Sequence, residues 1–250
     1  GNLEDLGSLT DAASAADAVI HTAFGHDFTR FAESSAVDRL AIAALGEALV
    51  ESSRPMLVTA GVAFLAPGRI AVETDTPPPD PGYPRQSEAA TASLTARGVR
   101  ASLVRLPPSV HGSGDRGFVP MLAGIVRQKG VSAYIEEGAN QWTAVHRRDA
   151  ARVYRLALEH GATEPAYHAV AEESIPFRAI AEKVGDALGL PVRSVSAHEA
   201  ADHFGWFAPF AAMDTPASSK RTRAVLGWQP DQIDLLTDLS APGYFGAGLP

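Results

Sequence analysis

Short, almost unbroken apolar runs alternate along this chain with longer stretches in which apolar residues recur every three or four positions. Ala18–Ala23, Pro55–Gly61 and Ala101–Leu106 are runs of the first kind. Continuous apolar character predicts strands buried on both faces, as in a parallel sheet. Between them, Val37, Leu40, Ala41, Ala44, Leu45, Ala48 and Leu49 mark one face of a helix over Phe31–Glu51. Tyr83–Arg97 is an Ala-rich helical stretch closed by Gly98, and Asn2–Ala16 reads as a loop and helix. Helices alternating with apolar strands predict an α/β fold, whose ligands lie just past the carboxyl ends of the strands.

Beyond Gly112 the order becomes more mixed. Helices are predicted over Phe118–Lys129, Asp149–His160, Pro176–Leu188 and Ala217–Leu226, and strands over Ser132–Ile135, Ala166–Val170 and Val192–Val195. The expected division is a dinucleotide-binding part over residues 1–112 and a substrate lobe over 113–250, with some segments returning to the sheet. The proline-rich, acidic stretch Ala66–Gly82 reads as a loop over the site.

Arg105-Leu106-Pro107 followed by Val110-His111-Gly112 resembles the strand, Arg-Pro pair and Val-His-Gly of the extended short-chain dehydrogenase/reductases, the NAD-dependent epimerase/dehydratase group. Asp17–Phe24 is similar to that family's fourth strand, Pro55–Gly61 to its fifth, Ala144–Ala151 to its later histidine/aspartate motif and Phe177–Gly189 to its late helix. The order of these pieces, more than any one of them, carries the likeness. It implies a Rossmann-like parallel sheet with a small C-terminal substrate lobe and an NAD or NADP cofactor. The family's glycine-rich phosphate turn has no counterpart following a strand here, and Gly1–Leu6 resembles a segment that follows the family's third strand. An N-terminal βαβ unit is therefore expected to be missing from this sequence, which makes cofactor binding a question for experiment.

The resemblance also nominates residues. Asn2 and Leu3 would meet the adenine; Thr22, Ala23 and Phe24 would lie along ribose and phosphates; Thr59, Ala60, Pro107, Pro108 and Val110 would surround the nicotinamide. The family's oxidoreduction uses a Tyr-x-x-x-Lys pair, the lysine lowering the pKa of the phenol. Tyr83-Pro84-Arg85-Gln86-Ser87-Glu88 departs from it: Tyr83 has Ser87 where lysine belongs, and the other register puts Glu88 there. Thr59-Ala60-Gly61 keeps a single hydroxyl where the family has two or three. Tyr83 and His111 are the acid/base candidates, with Thr59 the catalytic hydroxyl that would orient the substrate oxygen; Tyr83 is alternatively a surface aromatic and His111 a packing residue. Arg116, Phe118, Trp142, His146 and Trp206 are candidate substrate contacts, and Asp149 reads as a helix-capping or first-turn acid. His21, inside a strand, reads as a satisfied core histidine. His203–Phe210, the most aromatic stretch, suits an apolar lid, a dimer surface or a small core under a loop.

Composition narrows the rest. The 250 residues are 46% apolar, enough for a substantial core, and carry a formal charge of −8 with no basic run, which argues against nucleic acid. No cysteine occurs, so disulfides and thiolate metal sites are excluded. The histidines show no metal-binding spacing, and no segment approaches the ~20 apolar residues of a membrane span. The expectation is a soluble cytoplasmic protein, an oxidoreductase or epimerase/dehydratase acting on a small organic carbonyl or hydroxyl compound. The weakness of basic clusters makes a sugar nucleotide a less natural substrate. The alternative is a dinucleotide-binding sensor or scaffold whose Tyr/Lys relay has decayed. A homodimer paired through the long helices is expected from the resemblance.

Overall fold

The computed structural model describes residues 1–63, 65–77 and 84–246. In chain order, α1 (Leu6–Ala15) leads to β1 (Val19–His21), α2 (Phe31–Glu47), β2 (Pro55–Gly61), α3 (Ser87–Ala96) and β3 (Arg100–Leu106). The second half adds β4 (Ser109–His111), α4 (Phe118–Lys129), β5 (Ser132–Ile135), β6 (Gln141–His146), α5 (Arg147–Glu159), β7 (Ala166–His168) and β8 (Glu172–Pro176). It closes with α6 (Phe177–Leu188), β9 (Val192–Val195), α7 (Ala200–Phe204), α8 (Ala208–Ala211), α9 (Lys220–Leu226) and α10 (Leu235–Leu239).

The main sheet runs β1-β2-β3-β7, parallel throughout. The apolar runs of β2 and β3 are continuous because helices cover both faces of the sheet there; β1, at the sheet edge, departs from the expected two-sided burial, with Ile20 44% exposed. Met56, Val58 and Ala60 of β2 pack with Ile42 and Leu45 of α2 and Leu94 of α3. Leu57 and Val104 pack on the opposite face with Val153, Tyr154 and Ala157 of α5. Between α2 and α3 the fit is close: a Cβ on Gly46 would stand 2.3 Å from Leu94, so a side chain there would have to push the helices apart. A second core, containing Trp142, Phe177, Ile180, Phe204 and Phe207, unites α4 and α6 with the β4-β6-β8 and β5-β9 sheets.

Several boundaries shift from expectation. The helix expected from Tyr83 begins at Ser87, because Pro84, Arg85 and Gln86 remain outside it. α2 ends at Glu47 and continues to Ser52 as turns. The strands β4, β6 and β8 are unanticipated; β4 has only three residues, and the three pair with one another in a sheet of their own. Among the described residues, no helix is long and apolar enough to cross a membrane.

One buried charge organises the β3–β7 junction. Arg105 is 2% exposed and holds both carboxylate oxygens of Glu88, through Nε at 2.7 Å and Nη2 at 2.9 Å. It also donates to the carbonyls of Glu73 and Asp75, which pins residues 73–75 against the sheet. His168 Nδ1 is 2.8 Å from the Ser218 carbonyl, so Nδ1 carries the proton and Nε2 is left to accept from Arg105 Nη1 at 3.3 Å. Protonating Nε2 would set an N–H against the guanidinium. Burial, with Arg105 adding to it, lowers the His168 pKa to about 4. The unfolded chain therefore takes up this proton from pH 6.5 downward while the folded chain resists until about 4, so stability is lost as pH falls through that window. Urea titrations from pH 6.5 to 5 should show wild type losing stability faster than His168→Gln; parallel curves would remove His168 from the acid sensitivity.

Candidate functional site

β2 and β3 pair over seven residues, from Pro55↔Arg100 to Gly61↔Leu106, and so end level with each other. β1 is in register up to His21↔Val58, which brings Thr22 beside Thr59. The three exits share one rim, and between that rim and the second lobe lies a cavity of about 500 Å³. Its floor is made of small residues: a Cβ on Gly61 would find its nearest neighbour, the Leu106 carbonyl, at 3.8 Å. A larger cleft, about 940 Å³, lies along α3, β3 and β7. It is away from the strand ends, and its Arg105–Glu88 and Arg221–Glu164 charges are paired.

Nine of the nominated residues line the cavity: Thr22, Phe24, Thr59, Ala60, Pro107, Pro108, Val110, Arg116 and Phe118. Tyr83 lies outside the described residues. Ala23 does not line the cavity, and Asn2 and Leu3 sit in an N-terminal turn, where the Asn2 side chain accepts the Glu4 N–H. Trp206, 42% exposed, is adjacent rather than lining, stacked on Phe28 at 5.8 Å and 3°.

Other nominated side chains have partners within the protein. His111 is wholly buried and bonds Asp238 of α10 through Nδ1 at 2.8 Å, so it fastens β4 to the C-terminal helix. His146 caps α5, accepting the Arg148 N–H, and its pKa is lowered mainly by burial. Trp142 has no exposed surface and packs on Phe177 in the second core. Thr59 reaches the cavity wall, but its hydroxyl is committed: it donates to the His21 carbonyl at 2.8 Å and accepts from Tyr154 at 2.7 Å. Burial raises that Tyr154 phenol to about 12. Glu88, one register's replacement for the family's lysine, serves instead as the counterion of Arg105. Asp149 does lie in the first turn of α5, accepting from the backbone of Asp231 and Gln232. His21 is a buried histidine bonded to Asp38 at 2.8 Å. The aromatic stretch 203–210 divides: Phe204 and Phe207 belong to the second core, and Phe210 lines the cavity.

The sequence reading passed over Arg85 and Asp115. Arg85 donates to the Thr59 carbonyl at 3.1 Å and places its guanidinium 4.4 Å from the Phe24 ring centre. Asp115 accepts from Gly117 N–H at 2.6 Å and from the Tyr244 hydroxyl at 2.7 Å, and burial raises its pKa. His26, Phe28 and Phe31 were also missed. Their signal was present: Phe24, His26 and Phe28 put a ring at every second position after a strand. His26 is held toward neutrality by burial and by the charge of Arg85. No lysine is among the cavity's described lining residues.

No family model matches the chain. It is 47% identical over 247 residues to an uncharacterized protein of Schizosaccharomyces pombe, covering 98% of this chain and 83% of that one. It is 44% identical over 242 residues to an uncharacterized protein of Saccharomyces cerevisiae, covering 96% of this chain and 81% of the yeast protein. The chain belongs to the family of these two yeast proteins. Its fold is shared with solved structures at lower identity. DesIV, a dTDP-glucose 4,6-dehydratase from Streptomyces venezuelae with NAD bound, superposes with a TM-score of 0.75 at 17% identity, covering 96% of this chain and 76% of that one. WbmG from Bordetella bronchiseptica, with NAD and UDP, does so at 0.71 and 18% identity, covering 96% and 75%. The Rossmann-like α/β fold read from the sequence is thus shared with these two NAD-bound structures.

The role of Glu88 can be measured. Glu88→Ala leaves a buried guanidinium without its carboxylate and is expected to cost about 3 kcal/mol in urea unfolding. A loss below about 1 kcal/mol, the range of an exposed pair, would show that Arg105 does not depend on Glu88.

Proposed function

We propose that this chain binds NAD or NADP at the shared strand-end rim and acts as an oxidoreductase or epimerase/dehydratase on a small organic carbonyl or hydroxyl compound. One observation carries the reading: three adjacent parallel strands discharge into a single cavity with a floor of small residues, the place where such sheets take a dinucleotide. Thr22, Thr59–Gly61 and Pro107–Val110 would hold the nicotinamide and its ribose. When bound, that cofactor supplies or accepts the hydride.

The chain's own residues then have to orient the substrate and manage a proton. Thr59 serves as a wall residue, its hydroxyl being bonded to the His21 carbonyl and Tyr154. Asp115 is the acid/base candidate within the described cavity. Burial favours its protonated form, and the Tyr244 hydroxyl holds Oδ2 in place. A carboxylic acid used as proton donor loses activity as pH rises through its raised pKa. Asp115→Asn is therefore expected to lower carbonyl reduction at least about tenfold and remove that limb of the pH profile, with cofactor affinity unchanged. Tyr83→Phe supplies the comparison: a larger loss there than in Asp115→Asn assigns the proton to the phenol instead.

The committed Thr59 hydroxyl and the Glu88–Arg105 pair favour a second reading, a dinucleotide-binding protein without turnover. It expects cofactor binding in the absence of any carbonyl reduction.

Fluorescence titration with NADH and NADPH tests both readings at their root. Saturable binding is expected, weakened at least about tenfold in Val110→Trp, whose indole would occupy the rim. No response to either nucleotide would end both.

A further inference from the structure

The cavity lining is of two kinds. The strand ends contribute small residues; the cavity lining as a whole also holds five phenylalanines and two methionines, of which Phe118, Phe210, Met121 and Met213 come from beyond the strand ends. Phe28 is its hub. It emerges from β1 through a 3-10 turn over Phe28–Arg30 and crosses to the second lobe. There its ring centre lies 5.0 Å from Phe118, 5.3 Å from Phe210 and 5.8 Å from Trp206, the last in parallel stacking. Phe118 and Phe210 are themselves 4.6 Å apart. Phe28, Phe118 and Phe210 each remain partly exposed, so ring surface is left facing the cavity.

The charges on this wall are few. Arg85 and Arg116 are its cations, Asp115 stands among them, and burial together with Arg85 holds His26 toward its neutral form. A diphosphate with a sugar's hydroxyls would demand many more donors than these, and each unpaired polar group moved out of water is costly. Ring faces and edges, by contrast, engage another ring in offset or edge-on contact, an energy that saturated hydrocarbon does not recover. The size suits a one- or two-ring molecule.

We propose that the substrate is a planar aromatic or conjugated carbonyl or alcohol, its ring seated against Phe28, Phe118 and Phe210. Its identity as a substrate rests on the redox reading above; its identity as a ring-bearing ligand rests on the wall alone. Arg85, anchored on the Thr59 carbonyl at the strand-end boundary, is placed to hold the polar end toward the rim.

Calorimetry on the protein saturated with NAD+ separates the two, with NADH absorbance followed alongside to confirm that the aldehyde is not oxidised during the titration. Naphthaldehyde is expected to bind at least about tenfold more tightly than cyclohexanecarbaldehyde or UDP-glucose. Phe28→Leu, which keeps apolar bulk but removes the ring, is expected to shrink the preference over the saturated aldehyde to about twofold or less, with NAD+ affinity unchanged. Phe210→Leu serves the same purpose should the first variant fold poorly. Equal affinity for the saturated aldehyde, or tighter binding of UDP-glucose, overturns the proposal. Naphthaldehyde binding in a protein that takes up no nucleotide supports the ring site and overturns the redox reading alone. Nucleotide binding with no naphthaldehyde binding does the reverse.

Discussion

The level ending of β2 and β3, with the exit of β1 beside them, is the constraint on which the rest of this molecule depends. Because β2 and β3 are in register through Gly61↔Leu106, the Val62 N–H can still reach the Leu106 carbonyl at 3.0 Å after the strands part. Thr59 binds the end of β1 to β2 through the His21 carbonyl, and Tyr154 of α5 locks that hydroxyl from the other face. A slip of one residue would exchange the two faces of β2, moving Leu57 and Thr59 to the side now packed by α2 and α3. The cavity floor would be lost with it.

Polar residues that suggest chemistry in a linear reading mostly act here as fasteners. A group withdrawn from water must find a partner, and these partners are far away in sequence. His111 finds Asp238, Arg105 finds Glu88 and two carbonyls, and Asp149 takes the backbone of Asp231 and Gln232. Each joins elements that helix and strand propensity alone would leave unconnected. Asp115 differs in that its carboxyl is held at the cavity wall, between Tyr244 and a backbone N–H, and not sealed behind it.

The second lobe completes the site by presenting rings. Phe118 at the start of α4 and Phe210 in α8 come from segments nearly a hundred residues apart, and Phe28 approaches them from the sheet. Their contacts wall one side of the open strand ends, and that partial shelter from water strengthens the few polar groups at the boundary.

Periodicity by itself determined the parallel α/β class, the strands β1 to β3 and the helices between them, since covering both faces of a sheet, as at β2 and β3, calls for continuous apolar runs. The rim residues Thr22, Ala60, Pro107 and Val110 came from the family resemblance, which the strand ends accommodate. Tertiary structure alone decided which histidine is buried against a carboxylate, that the hydroxyl of Thr59 is already spent, and that Glu88 answers an arginine on the neighbouring strand. Short strands such as β4 and β8, and contacts such as Phe28 with Phe210, stayed illegible because their stability comes from partners distant along the chain, and local pattern carries no record of distance in space.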